Sequence, residues 1–168
     1  MKKILLGISL LLGVILLTGC GSDVTGSNNS GGLFSSTKAV TCTHEEVDED
    51  GYKTTEEMVV TYDSSKVLSA KSTSIIETDP TLVDFTLSFG ELLADAINAV
   101  EGVSVSYEKH SDSSIKATTT VDYEKLDYSK LKSQLGDMYD SDDDALYNVK
   151  GLSFEEFKKR SLSGYSCK

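Results

Sequence analysis

The chain has 168 residues, 39% of them hydrophobic and 26% charged, with 16 Lys+Arg against 27 Asp+Glu and a net charge of −11. That length holds one domain rather than two. The acid excess excludes nucleic acid as a partner class, because phosphate contacts need clustered Lys and Arg.

The first element is an address. Lys2 and Lys3 precede an apolar run from Ile4 to Leu17. A membrane-spanning helix needs roughly 20 apolar residues, so residues 1–19 read as a cleaved signal peptide. Leu17-Thr18-Gly19-Cys20 follows directly and is similar to the lipobox of bacterial lipoproteins: an aliphatic residue, two small ones, then Cys. The resemblance implies that Cys20 becomes the first residue and carries a diacylglycerol on its thiol. Two acyl chains anchor stably where one does not. An ordinary secretory leader followed by a chance Cys is the alternative. Without Lys2 and Lys3 the count is 14 Lys+Arg against 27 Asp+Glu, a net charge of −13. Anionic headgroups do not attract such a body, so the lipid does the holding. The expected location is the extracytoplasmic face of a bacterial membrane.

Residues 20–38 read as the lipidated Cys and a Gly/Ser/Asn linker, whose r.m.s. reach is roughly 20–25 Å. Leu33-Phe34 is its one apolar spot. Residues 39–168 are expected to form a single, monomeric α+β domain.

Within that domain Val40, Cys42 and His44 alternate with Thr41, Thr43 and Glu45, the period of a strand. Asp48 to Gly51 is a hairpin turn. Tyr52 to Tyr62 places Tyr52, Met58, Val60 and Tyr62 on one face, and Lys66 to Glu77 is a third strand. Asp79-Pro80 predicts a helix start, with Asp as cap and Pro in the first turn. Leu82, Phe85, Phe89, Leu92, Leu93, Ala96, Ile97 and Val100 form the apolar stripe expected to cover the sheet, and Gly102 ends the helix. Val103, Val105 and Tyr107, then Ile115 to Tyr123, predict two more strands around a turn at Ser111-Asp112-Ser113. Leu131, Leu135 and Met138 suggest a short helix. Ser153 and Glu156 match a capping box for a last one, with Lys158, Lys159 and Arg160 suited to its C-terminal end. The expectation is an antiparallel sheet of about five strands, packed by one long helix, with two short C-terminal helices.

With Cys20 acylated, Cys42 and Cys167 remain. Outside the cytoplasm two thiols are the number one disulfide needs, and free thiols are the alternative. A bridge closing so long a loop would remove on the order of 5 kcal/mol of unfolded-chain entropy. The lipobox, Thr41-Cys42-Thr43, the strand–strand–strand–helix–strand–strand order and the terminal Gly164-Tyr165-Ser166-Cys167-Lys168 together resemble the YehR-like small bacterial lipoproteins, a family of unknown function. The resemblance covers residues 39–168 and implies an α+β domain with Cys42 and Cys167 paired. Gly136 to Lys150 is longer and more acidic than the family pattern. The resemblance supplies no reaction.

Chemistry-bearing motifs are sparse. His44 and His110 lack the partners of a zinc site, and no GxSxG, SxxK, GxGxxG or P-loop sequence exists, so no cofactor is expected. Asp140, Asp142 and Asp144 have the alternate spacing of Ca²⁺ ligands. Ala145 stands where the EF-hand needs Gly, however, and Gly151 where it needs Glu, which favours a solvated acidic loop. Most of the eight Tyr are expected in the core, and an exposed set would mark a binding surface. The leading reading is a non-enzymatic, lipid-anchored domain that binds a protein or an envelope ligand. The alternative is an envelope enzyme, a hydrolase or redox protein. A solute-binding lipoprotein is a third, disfavoured by a domain too short for two lobes.

Overall fold

A computed structural model describes residues 37–136 and 146–168. The leader, Cys20, Leu33-Phe34, Met138 and the Asp140, Asp142 and Asp144 set lie outside the described residues.

Three strands come first: β1 (Lys38–Val47), β2 (Lys53–Tyr62) and β3 (Val67–Glu77). Helix α1 (Val83–Asn98) then crosses to β4 (Val103–Ser111) and β5 (Ser114–Asp122). Helices α2 (Tyr128–Leu135) and α3 (Phe154–Ser161) precede a two-residue β6 (Ser166–Cys167). The sheet has six strands in the order β4-β5-β3-β2-β1-β6, all pairs antiparallel. The architecture is therefore α+β as expected, with six strands rather than five. The extra strand is the C-terminal Ser166–Cys167, too short to carry a periodic signal.

Alternation along the strands divides the sheet into two faces. Register aligns Cys42, Met58, Ser72, Thr119 and Val105 across the strands, and Val40, Val60, Ala70, Val121 and Val103 in the next row. Most of these residues are buried, and they floor the core. The opposite face carries Thr41, Val59, Lys71, Thr118 and Ser106, a largely Ser/Thr surface that is half-buried on four strands and exposed on β4. One wet face is the usual state of an antiparallel sheet.

The helices cover the floor. Gly90 lets α1 approach β4 closely, since a Cβ there would lie 2.8 Å from Tyr107 Cγ. Asn98 closes the open side of β4: its amide donates to Val105 O at 2.8 Å and its oxygen accepts from Val105 N at 2.6 Å. Asp127 caps α2, and Leu131 and Leu135 point into the core. The predicted capping box of Ser153 and Glu156 starts α3, whose Phe157 packs on Tyr123. The basic trio ends α3, and Arg160 donates to Asn148 O, which suits cations at a helix C-terminus.

Two expectations about α1 need correction. Asp79 does not cap it. The Asp79 carboxylate instead accepts from Thr81 N and Oγ1 in the preceding turn, and the helix begins at Val83 without a side-chain cap. The expected stripe is also only partly inward. Leu93, Ile97 and Val100 are buried, but Leu82, Phe85, Leu92 and Ala96 are exposed and Phe89 is half-buried. The face that meets the sheet is Val83, Leu87, Gly90, Ala94 and Ile97. Gly90 and Ala94 sit at the centre of this face, and at Gly90 the helix–sheet gap has no room for a larger side chain.

Candidate functional site

Helix α1 carries two apolar faces. At 3.6 residues per turn, Leu92, Phe85, Ala96, Phe89 and Leu82 span about 80° of its circumference, pointing away from the face that seats on β4. Phe85 is 69% exposed and Leu92 68%. The Phe85 and Phe89 rings stack with centroids 6.5 Å apart, forming a continuous aromatic ridge. Scattered exposed hydrophobes are ordinary, but an aligned set marks an interaction surface. Asp84, Ser88, Glu91 and Asp95 border this stripe, all exposed.

A second cluster lies at the opposite edge, where β6 pairs with β1. Cys42 and Cys167 are register partners with their Sγ atoms 2.09 Å apart. Thr41 and Lys168 exchange backbone hydrogen bonds of 3.3 and 2.9 Å. His44 Nδ1 lies 3.2 Å from Gly164 O, so Nδ1 carries the proton that donates to this carbonyl. The His44 ring stacks on Tyr165 at 5.1 Å, and Tyr165 donates its hydroxyl to Glu56 Oε2 on β2. Burial pushes the Glu56 carboxyl above the usual carboxylate range, against the lowering influence of Tyr165 and His44. Tyr165 is pushed up as well, first by burial and then by the charge of Glu56. A Glu, a Tyr and a His thus meet, with Glu56 Oε2, the Tyr165 hydroxyl and His44 Nδ1 each engaged. Such an arrangement ties the C-terminal tail down.

A hollow of about 150 Å³ lies among Lys66, Val67, Tyr123, Glu124, Lys150 and Gly151. It is smaller than the roughly 300–1,000 Å³ typical of small-molecule sites. Among the described residues no group of three His, Cys, Asp or Glu is placed to hold a metal ion, and no helix is long and apolar enough to cross a membrane.

With the geometry in hand, the fold can be compared with solved structures. An NMR structure of a protein from Streptococcus pneumoniae TIGR4 superposes with a TM-score of 0.52 at 16% identity, covering 91% of this chain and 99% of that one. The E. coli YehR protein, also solved by NMR, superposes with a TM-score of 0.52 at 19% identity, covering 77% of this chain and 91% of YehR. The fold is YehR-like. No family model matches the sequence, and no curated protein does.

The two histidines stand apart. His44 belongs to the tail cluster, and His110 is exposed near the end of β4. Tyr107, Tyr123 and Tyr147 are buried, and Tyr62 stacks on Phe154 with centroids 4.4 Å apart. The exposed aromatic that marks a surface is therefore a Phe on α1, not a Tyr on the sheet. Glu56 and Tyr165 are 109 positions apart, and no local spacing announces their contact. The outward stripe had a legible signal, since Gly90 and Ala94 sit on the same helical face and mark the close approach.

Proposed function

We propose that this protein is a YehR-like lipoprotein, held through Cys20 at the extracytoplasmic face of a bacterial membrane, whose monomeric α+β domain is a non-enzymatic binding module. The binding reading rests on one observation: Leu82, Phe85 and Leu92 stand exposed along one face of α1, with half-buried Phe89 among them. The core does not need these side chains, and their exposure carries a solubility cost that a partner would relieve. The lipobox and the acidic composition support lipid anchoring, and the Cys42–Cys167 geometry fits an oxidising compartment.

Two measurements test the proposal. Cys20→Ser is expected to move the protein from the membrane fraction to the medium or periplasm, and a variant that stays membrane-bound defeats the anchor. A photo-crosslinking residue placed at Phe85 or Leu92 is expected to trap a discrete protein adduct in intact cells. The same group at Thr120, on the Ser/Thr face, is expected to trap none. Equal labelling from both positions defeats the α1 interface.

A further inference from the structure

The α1 stripe has a chemical border that specifies what can cover it. Asp84, Glu91 and Asp95 lie within about 40° of one another around the helix and run beside the apolar residues for most of its length. All three are exposed, and no ion pair to them is present among the described residues. The helix VDFTLSFGELLADAIN contains no Lys or Arg. Lys130 reaches α1 only at its C-terminal end, where it donates to Ala99 O at 2.7 Å.

That border discriminates among occupants. Two copies packed with α1 antiparallel about a two-fold axis would set one acidic row beside the other, and like charges in a desolvated contact oppose association. A parallel pair would set the acidic row against the Leu82 and Leu93 side of the partner helix, which itself carries no Lys or Arg to pair with it. An anionic lipid surface is repelled by the same row and by the −13 charge of the mature chain. Only four positions separate Phe34 from Lys38 at the start of β1, a chain length of at most about 14 Å, too short for Leu33-Phe34 to serve. Four strand spacings of about 4.8 Å separate β1 from β4, and the Phe85 end of α1 lies far along the helix from the edge where β1 begins.

We propose that the outer face of α1 docks a cationic amphipathic segment of another protein. Its apolar side chains would seat on Leu82, Phe85, Phe89 and Leu92, and its Lys or Arg residues would pair with Asp84, Glu91 and Asp95. The inference deepens the binding-module reading and rests on it. Apolar contact supplies the affinity here, and the acidic row supplies orientation and rejects acidic partners.

The test uses the full chain exported as its Cys20→Ser variant and a fluorescent helical peptide of Leu and Lys, LKKLLKLLKKLLKL. Anisotropy is expected to show saturable binding that weakens with salt. Phe85→Ser with Leu92→Ser, and separately Asp84→Asn with Glu91→Gln and Asp95→Asn, are each expected to weaken binding by at least about tenfold. A charge-matched control, Glu49→Gln with Asp50→Asn and Asp112→Asn in exposed turns, is expected to bind as the parent does. All these side chains are exposed, so unchanged thermal unfolding shows that the fold is intact. The proposal is overturned if the control loses as much as the α1 set, since net charge alone then explains capture. It is also overturned if the peptide does not bind, or if anionic vesicles bind while the peptide does not. Should the peptide fail while Phe85 crosslinks persist in cells, the binding module stands and only its cationic partner falls.

Discussion

The two edges of the sheet are finished by different physics. At the β1 edge, the Cys42–Cys167 pair, the Thr41–Lys168 backbone bonds, the His44–Gly164 contact and the Tyr165–Glu56 hydrogen bond fasten the C-terminal tail. At the β4 edge, one helix does the covering, seated on Tyr107 through Gly90 and fixed to Val105 by Asn98. Each device engages part of the backbone of its strand, Thr41 to Thr43 on β1 and Val105 on β4. The first engages its His, Glu and Tyr with one another and with the tail backbone. The second covers with one face and leaves Leu82, Phe85 and Leu92 exposed on the other, which is the surface the proposed binding role would use.

The comparison predicts a graded series. The largest effect is expected from removing the β1-edge bridge: Cys42→Ser with Cys167→Ser should cost on the order of 5 kcal/mol in denaturant unfolding. Thiol titration of the denatured, unreduced parent should find neither of these sulfurs reactive. Two reactive thiols would break the comparison at its strongest point. At the β4 edge, Asn98→Ala should cost about 1–3 kcal/mol, because Val105 N–H and C=O lose their partners together. Gly90→Ala comes next. Overpacking against Tyr107 costs about 1–3 kcal/mol and is partly offset by the roughly 1 kcal/mol that Ala gains over Gly in a helix. A stabilised Gly90→Ala variant would show that the ring can give way.

A smaller effect concerns pH. Burial raises the Glu56 carboxyl, so the folded state holds that proton more tightly than the unfolded chain does. Its contribution to stability is complete below the ordinary carboxylate pKa and is lost as pH rises through the raised value. Glu56→Gln keeps an acceptor for Tyr165 but cannot ionise, so its Tm relative to the parent should improve from pH 4 to pH 7. A difference that stays flat across that range removes the buried-carboxyl account of this edge. The smallest stability effect is expected from Phe85→Ser with Leu92→Ser, within about 0.5 kcal/mol per substitution, since both side chains face water. A large destabilisation there would mean that the stripe belongs to the core.

Much of the fold was legible because its signals are local. Period-two alternation in Val40–His44 and Val103–Tyr107 assigned inward and outward faces without any knowledge of the neighbouring strands. Ser153 and Glu156 announced α3 because a capping box closes within four residues. The α1 stripe misled for a physical reason. The helix has apolar residues around most of its circumference, and the general burial of large hydrophobes points to the bulkier set as the inward one.

By itself the sequence determined the α+β class: an acidic body, strands whose residues share faces, and helices with capped or glycine-marked ends. Tertiary structure alone decided how closely α1 seats on β4, that β4 rather than β3 forms the edge, and that Tyr165 reaches Glu56. The reason lies in range. Periodicity and capping are fixed by neighbours within a few positions. The width of the gap at Gly90 and a contact spanning 109 residues exist only once the strands have been ordered.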